Sequence, residues 1–524
     1  MQRRKFLELS LGSGLATVGT SVGSSAKTAA RAGRLASPPH SGSHEEHPAL
    51  EISSDSQIFV DDLLIEHLER VWRSVSHPDK FTGNPIMKAD RPWEGYLILQ
   101  PGTVLYDKRE GKFKMWYLAA PSQDRVPPID GDWSSSFLCY ATSQDGVTWE
   151  KPDLGLVEFR GAKANNILLT QVNWDHSLVE DEDEPDPSKR YKLLYWQTWK
   201  KQNCGIWSAF SADGIHWHNP IRYPSVPCSA TGDTFSVLRD LDSKRYLLFH
   251  KTVLGPIRKI SCLASDDFVS WQDDLQMLQP DDLDQPDTEF YGVSAFPYAG
   301  QYIGMLWVFH TYLQIMDTQL VSSRDGLHWQ RALNRKIFIP LGYMVNGYDK
   351  ESFDSKMIWP ASAPVQKEDK LWIYYSGFAN THNAVESEHT GQIGLAHLRL
   401  DGFCSLDATS EGFVITRALK FQGSHLFVNA EVNAIELQSS GSHPAWAKIF
   451  AGAGPEGYVR VEILDELGRP IEGYTASECA PLRGDGVKQQ VSWSGGKGLD
   501  ALRGRAVKLK FIFANTKLYA FRIQ

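Results

Sequence analysis

Short apolar or alternating runs recur along the chain and lead into nearly the same turn. The runs SSFLCYAT, GIWSAFS, RKISCLAS and IMDTQLVSS precede SQDGVTWEKP from Ser143, SADGIHWHNP from Ser211, SDDFVSWQDD from Ser265 and SRDGLHWQRA from Ser323. In this phrase Asp bonds its own backbone and Gly takes the positive-φ position. The Trp opens the next strand. Each copy therefore predicts a hairpin between two strands, with a structural role for the Asp-Gly turn and no catalytic one.

A second phrase, a polar turn followed by an aromatic-rich strand, repeats five times: KREGKFKMWYLA, DPSKRYKLLYWQT, LDSKRYLLFHKT, YAGQYIGMLWVFH and KEDKLWIYYSG. The two phrases together mark five units, roughly 93–158, 164–222, 224–278, 283–338 and 341–404. Units of this length cannot bury their sheet faces alone, and radial stacking of four-stranded sheets solves that. The fifth unit lacks the Asp-Gly phrase. The run SQIFVDDLLIEH (56–67) is expected to close the ring or pack beneath it. After about residue 410 the pattern becomes strict alternation between Gly turns. Val459, Val461 and Ile463 face one way, Arg460 and Glu462 the other; Val507, Leu509, Phe511 and Phe513 repeat this. That predicts an antiparallel β-sandwich. The fold class read from the pattern is all-β: a five-bladed β-propeller over 55–408, then a C-terminal β-sandwich over 409–524.

Composition refines this picture. The 524 residues are 42% hydrophobic and 22% charged, with 17 Trp. Most of the tryptophans are expected in the core. A net charge of −9 argues against nucleic acid as a partner. The first 30 residues carry Arg3–Arg4, then Phe6–Leu7, then a soft apolar stretch. They resemble a twin-arginine export signal, which implies the Tat export machinery as a partner and a periplasmic or secreted protein with no membrane contact once mature. Residues 31–54, with His40, His44 and His47, read as a flexible linker. The six cysteines have no metal spacing, and mostly buried free thiols are expected.

Propeller geometry brings the starts of the inner strands together at one end of the axis. Five segments qualify: 94–107, 173–184, 231–240, 284–296 and 350–365. Carboxylates stand at most of these starts: Glu94, Asp175, Asp233, Asp287 with Glu289, and Glu351 with Asp354. An acidic residue leading into a buried strand costs free energy unless it is paired or functional. Trp93, Trp174, Tyr291 and Trp359 flank them and can stack on a sugar ring. His176, His310 and His382 can bond hydroxyls. The acidic run EDEDEPD (180–186) reads as a solvated loop, with a structural calcium as the alternative. No nucleotide, zinc-protease or nucleophile-elbow motif is present.

These blade phrases and acidic strand starts resemble the five-bladed glycoside hydrolases, the arabinanase, xylosidase and invertase group of families 43 and 32. The resemblance covers about residues 55–410. It implies hydrolysis of a plant or algal poly- or oligosaccharide, with no cofactor required. By the same likeness Glu289 in DTEFYGV corresponds to the acid and Asp233 in TGDTFSVLRD to the tuning Asp. The family's first-blade Asp is replaced here by Gln100–Pro101. Glu94, then Asp175, then Asp354 stand as candidates for the base. Trp93, Trp174, Asp287, Tyr291, Asp354 and His382 are expected to bind substrate. Two other readings compete. One is a lectin-like propeller without turnover. The other is a sialidase-like hydrolase, which needs six blades and an Arg triad.

Overall fold

The computed structural model describes residues 48–524 except 121–135, 199–202, 253–254, 333–334, 343, 346–349, 385–389 and 435–455. The segment expected to be an export signal, most of the expected linker and its three histidines lie outside the described residues. Among the described residues every regular element is a strand, apart from short 3-10 turns.

Five antiparallel units follow one another. The first pairs Leu97–Leu99 and Val104–Asp107 with Lys112–Ala120, then Phe137–Ser143 and Ile167–Thr170. The second runs His176–Glu180, Tyr191–Gln197, Gly205–Ser211 and Val226–Pro227. The third runs Phe235–Arg239, Tyr246–Thr252, Lys259–Ser265 and Gln272–Leu278. The fourth holds Thr288–Tyr298, Gln301–His310, Ile315–Ser323 and Trp329–Arg331. The fifth pairs Met357–Pro360 and Val365–Lys367 with Lys370–Phe378, then Gly391–Arg399 and, from the start of the chain, Asp79–Lys80. A single bridge, Met316 to Met357, joins the fourth to the fifth.

The first strands of these units are tied to one another. Leu178 N–H donates to Thr103 Oγ1 at 3.0 Å, and Val237 N–H to Ser177 Oγ at 3.0 Å. Ser236 Oγ donates to Val293 O at 2.6 Å, and Ser294 Oγ to Pro360 O at 3.0 Å. Ser362 N–H donates to Gly102 O at 2.7 Å, which returns the series to the first sheet. Buried apolar clusters fill each gap. Tyr374, Ile393 and Leu395 of the fifth sheet pack with Phe113 and Met115 of the first. Hydrogen-bonding side chains therefore line the inner edge, and apolar ones fill the space between faces.

The repeated phrase has one structure in all four places. Asp145 Oδ1 accepts from the N–H groups of Val147 and Thr148, and Asp213 Oδ1 from those of Ile215 and His216. Asp267 and Asp325 do the same for 269–270 and 327–328. Gly146, Gly214 and Gly326 hold φ between 72° and 77°; Phe268 takes φ 65° in the weaker copy. In three of the four copies a side chain of the preceding sheet grips the turn. Trp116 Nε1–H donates to Gly214 O at 2.7 Å, Ser208 Oγ to Phe268 O at 2.7 Å, and Tyr374 Oη to Gly146 O at 2.9 Å.

The C-terminal region is two antiparallel sheets around a shared core. One holds Trp72–Val75, Cys404–Ala408, Leu426–Val432, Asp485–Gln490 and Thr516–Ile523; the other holds Ile65–Glu69, Gly412–Thr416, Tyr458–Leu464 and Lys508–Ala514. Val459, Val461, Ile463, Leu509, Phe511 and Phe513 are fully buried between them, as the alternation predicts. Residues 57–75 hydrogen-bond into these sheets, while Ile58, Val60 and Val75 also pack in one buried cluster with Phe296 and Ile303 of the fourth sheet. Their alternation matches a half-buried sandwich face. The outer strand of the fifth unit comes from Asp79–Lys80.

His176 opens the second sheet inside this interior. Its Nε2–H donates to Trp116 O at 2.7 Å, and burial brings its pKa down to about 4. A histidine depressed in the folded state contributes stability that is complete above its unfolded value, about 6.5, and is lost as pH falls toward 4. His310 works in the opposite sense. Its hydrogen bond to Asp317 raises its pKa, so its contribution is present below about 6.5 and is lost as pH rises through the folded value. Comparison with a variant separates the two. Between pH 7 and pH 4.5 the urea midpoint of the parent is expected to fall further than that of His176→Leu. Equal slopes would refute the assignment.

Candidate functional site

The strand starts of the third and fourth sheets deliver Asp233 and Glu289. Asp233 precedes Phe235–Arg239, and its side chain keeps 35% of its surface exposed. Lys251, on the adjacent strand, donates from Nζ to Asp233 Oδ1 at 2.5 Å. Gly232 N–H donates to Lys251 O at 2.7 Å, so the backbone sets that pairing. Glu289, second residue of Thr288–Tyr298, is 14% exposed and ion-paired with Arg258.

Tyr291 joins the two pairs. Lys251 Nζ lies 3.7 Å from the centre of its ring, and Arg258 Cζ 5.6 Å. The ring stacks on Trp359 at 6.1 Å, which stacks on Trp307 at 5.6 Å. Tyr291 Oη and His382 Nε2 are hydrogen-bonded at 2.9 Å. Two cation and carboxylate pairs thus share one aromatic ring, with an imidazole at its hydroxyl. Cation–π attraction adds to the ion pairs in holding both cations there.

The electrostatics separate the carboxyls. Burial works against ionisation of Asp233, but the Lys251 charge and hydrogen bond outweigh it and hold the carboxyl below its ordinary range. Burial likewise opposes the Lys251 charge; Tyr291 and Asp233 together keep its pKa raised. Asp175 lies close enough to feel the Asp233 charge, yet it is 1% exposed. Its Oδ1 accepts from His176 N–H and its Oδ2 from Phe235 N–H, both at 2.7 Å, linking the second sheet to the third. Burial pushes its carboxyl well up despite those two N–H groups, and Asp233 adds to the rise.

The other residues expected at the site have different surroundings. Glu94 is fully buried. Tyr117 Oη donates to it at 2.6 Å, the N–H groups of Asp90 and Arg91 at 2.8 and 3.0 Å, and Lys151 Nζ lies 2.7 Å away. Asp354 accepts from Lys80 Nζ at 2.6 Å and Tyr375 Oη at 2.9 Å. Both carboxylates are thus engaged with their own basic partners, Lys151 and Lys80. The side chain of Glu351 lies outside the described residues. Trp93 packs in the first sheet's core and donates from Nε1 to Asn166 Oδ1 at 2.8 Å. Trp174, at φ 55°, packs beside the apolar clusters flanking the second sheet. Asp287 Oδ2 accepts from Tyr312 N–H at 3.2 Å. That bond fixes a turn whose Tyr312 side chain is 87% exposed, and whose Gln314 O accepts from His382 N–H at 2.8 Å.

Lys251, Arg258 and Tyr312 were not read from the sequence. Lys251 is next to last in an aromatic-rich strand that the repeat does identify, and its position opposite Thr234 follows from the hairpin register. Arg258 and Tyr312 carry no comparable local signal. In the acidic run, Glu180 pairs with Arg190, Asp181 with Arg239, and Glu184 with Lys192. Among the described residues no group of three His, Cys, Asp or Glu is arranged to hold a metal ion.

No family model matches this chain, and no curated protein does. Solved structures do resemble it. A β-1,2-mannobiose phosphorylase from Listeria innocua aligns over 63% of this chain and 98% of its own, with 12% identity and a TM-score of 0.43. A fructofuranosidase from Schwanniomyces occidentalis aligns over 86% and 98%, with 11% identity and a TM-score of 0.41. An N-acetylgalactosamine deacetylase from F. plautii aligns over 68% and 97%, with 15% identity and a TM-score of 0.38. Likeness this slight assigns no activity to the chain, and three different reactions are represented among these neighbours.

Proposed function

We propose that the chain is an exported glycoside hydrolase whose five stacked sheets are the blades of a β-propeller, with Asp233 and Glu289 as its working carboxylates. The observation that carries this reading is the meeting of both residues, through Lys251 and Arg258, on the Tyr291 ring. Glycosidic cleavage needs one carboxyl that protonates the leaving oxygen and one that stays ionised. Asp233, kept ionised by Lys251, suits the second role. Glu289, partly exposed at the fourth strand start, takes the first, and in that role it must be released from Arg258 as substrate enters. Asp175 supports Asp233 from behind without reaching solvent. Tyr312 offers a flat face for a further sugar. The proposed substrate is a plant or algal poly- or oligosaccharide.

The test is product release from a panel of polysaccharides and aryl glycosides, with the parent and Asp233→Asn side by side. Turnover of at least one substrate that drops about 10²-fold or more in the variant is the expected outcome. Equal turnover in both removes Asp233 from the reaction.

A second reading is favoured by one observation: both carboxylates are engaged with cations. A lectin-like propeller would use such pairs to bond hydroxyls without cleavage. Glycan binding in calorimetry with no product from any panel member selects it.

A further inference from the structure

The six cysteines are all free thiols. Cys139, Cys262, Cys404 and Cys479 are buried, as expected from the sequence; Cys204 is half-buried and Cys228 exposed. These two adjoin paired strands of the second sheet, in which Gly205 lies opposite Pro227 and Ile206 opposite Val226. One step further along the same register sets Cys204 opposite Cys228, and Cys228 N–H donates to Cys204 O at 3.0 Å. Directly opposed residues in an antiparallel pair have Cα atoms about 4.5–5.5 Å apart and side chains on one face. That separation lies inside the range that disulfides span. Cys204 also packs against the apolar cluster between the second and third sheets, which fixes one end of the pair.

We propose that Cys204 and Cys228 form a disulfide when the chain meets a small-molecule disulfide oxidant such as oxidised glutathione. The exposed Cys228, as thiolate, attacks one sulfur of the oxidant and releases one glutathione thiol. Cys204 then loses its proton to solvent, attacks the Cys228 sulfur and releases the second. Two protein thiols give up two electrons, and one oxidant disulfide becomes two thiols. Burial pushes the Cys204 thiol up to about 12, which assigns it the second step, where the attack is intramolecular.

The bond would sit at the foot of the segment that delivers Asp233. From Cys228 the chain turns, with Ala230 N–H donating to Pro227 O at 2.9 Å, and meets Lys251 at Gly232. A covalent link there anchors that turn to the second sheet. The inference stands apart from the proposed activity, because neither cysteine takes part in it.

The experiment treats the purified full chain with oxidised glutathione, quenches with acid, counts thiols in denaturant and maps unreduced peptides. Six thiols are expected to fall to four, with one peptide pair joining Cys204 to Cys228. The melting temperature should rise by roughly 3 °C. Cys228→Ser should show neither change. Retention of six thiols, a glutathione adduct left on Cys228, or a bridge between other cysteines would each overturn the proposal.

Discussion

Glu289→Gln is expected to lower kcat by about 10²–10⁴-fold, the usual contribution of a general acid. The substitution keeps the shape of the side chain and leaves an oxygen to accept from Arg258, so the fourth sheet should fold as before. What it removes is the proton donor. That loss has a signature beyond its size. An aryl glycoside with a good leaving group needs little protonation, so the variant should recover much of its rate on such a substrate. A substrate with a sugar leaving group should show the full deficit. Rates would be compared on one substrate of each kind, after circular dichroism confirms the fold. A deficit of equal size on both would place Glu289 in binding and not in proton transfer.

Glu94→Ala is expected to cost about 3–5 kcal/mol of stability, the range for breaking a buried ion pair from one side. A domain holds only about 5–15 kcal/mol in total, so this variant should be largely unfolded at moderate urea. The reason is what remains behind. Lys151 is 4% exposed at its side chain and would keep only the solvent-exposed Asp90, at 2.6 Å, to offset its charge beside Tyr117 and the first sheet's core. Two backbone N–H groups would also lose their acceptor. Adding Lys151→Met should recover part of the loss, because the stranded charge goes with it. Urea titrations of the parent, the single variant and the double variant measure this. A Glu94→Ala protein with the parent's midpoint and no turnover would instead make Glu94 the base, the role its place in the sequence suggested.

The difference between Glu94 and Asp233 explains what the sequence could and could not reveal. Both are acidic residues at the start of an inner strand, and nothing local separates them. Their partners do: Lys251 stands on the strand next to Asp233, whereas the partners of Glu94 and of Asp354 are distant. Lys151 lies 57 residues from Glu94, and Lys80 lies 274 from Asp354. Long-range pairing of this kind depends on which sheet lies beside which, and no periodicity encodes it. The repeated turn is legible for the opposite reason. Asp145, Asp213, Asp267 and Asp325 bond N–H groups two and three residues on, so the whole device sits within one phrase. The sandwich core was legible too, because Val459, Val461 and Ile463 alternate with Arg460 and Glu462 whatever lies opposite them.

The grip of one sheet on the next one's turn, made in three places, has a consequence for how the chain could be rewired. Trp116 holds Gly214, Ser208 holds Phe268, and Tyr374 holds Gly146. The last of these runs from the end of the series back to its start. Counted by neighbours, no sheet is terminal. The residues flanking the fold also meet, since Gln524 Nε2–H donates to Ser54 O at 3.4 Å. A chain joined there and reopened near the exposed Leu283, between the third and fourth sheets, would keep every strand pairing of the five sheets and all three grips. Order along the polypeptide and order around the molecule are therefore separable here. The architecture is a closed cycle of nearest-neighbour contacts that happens to be written as a line.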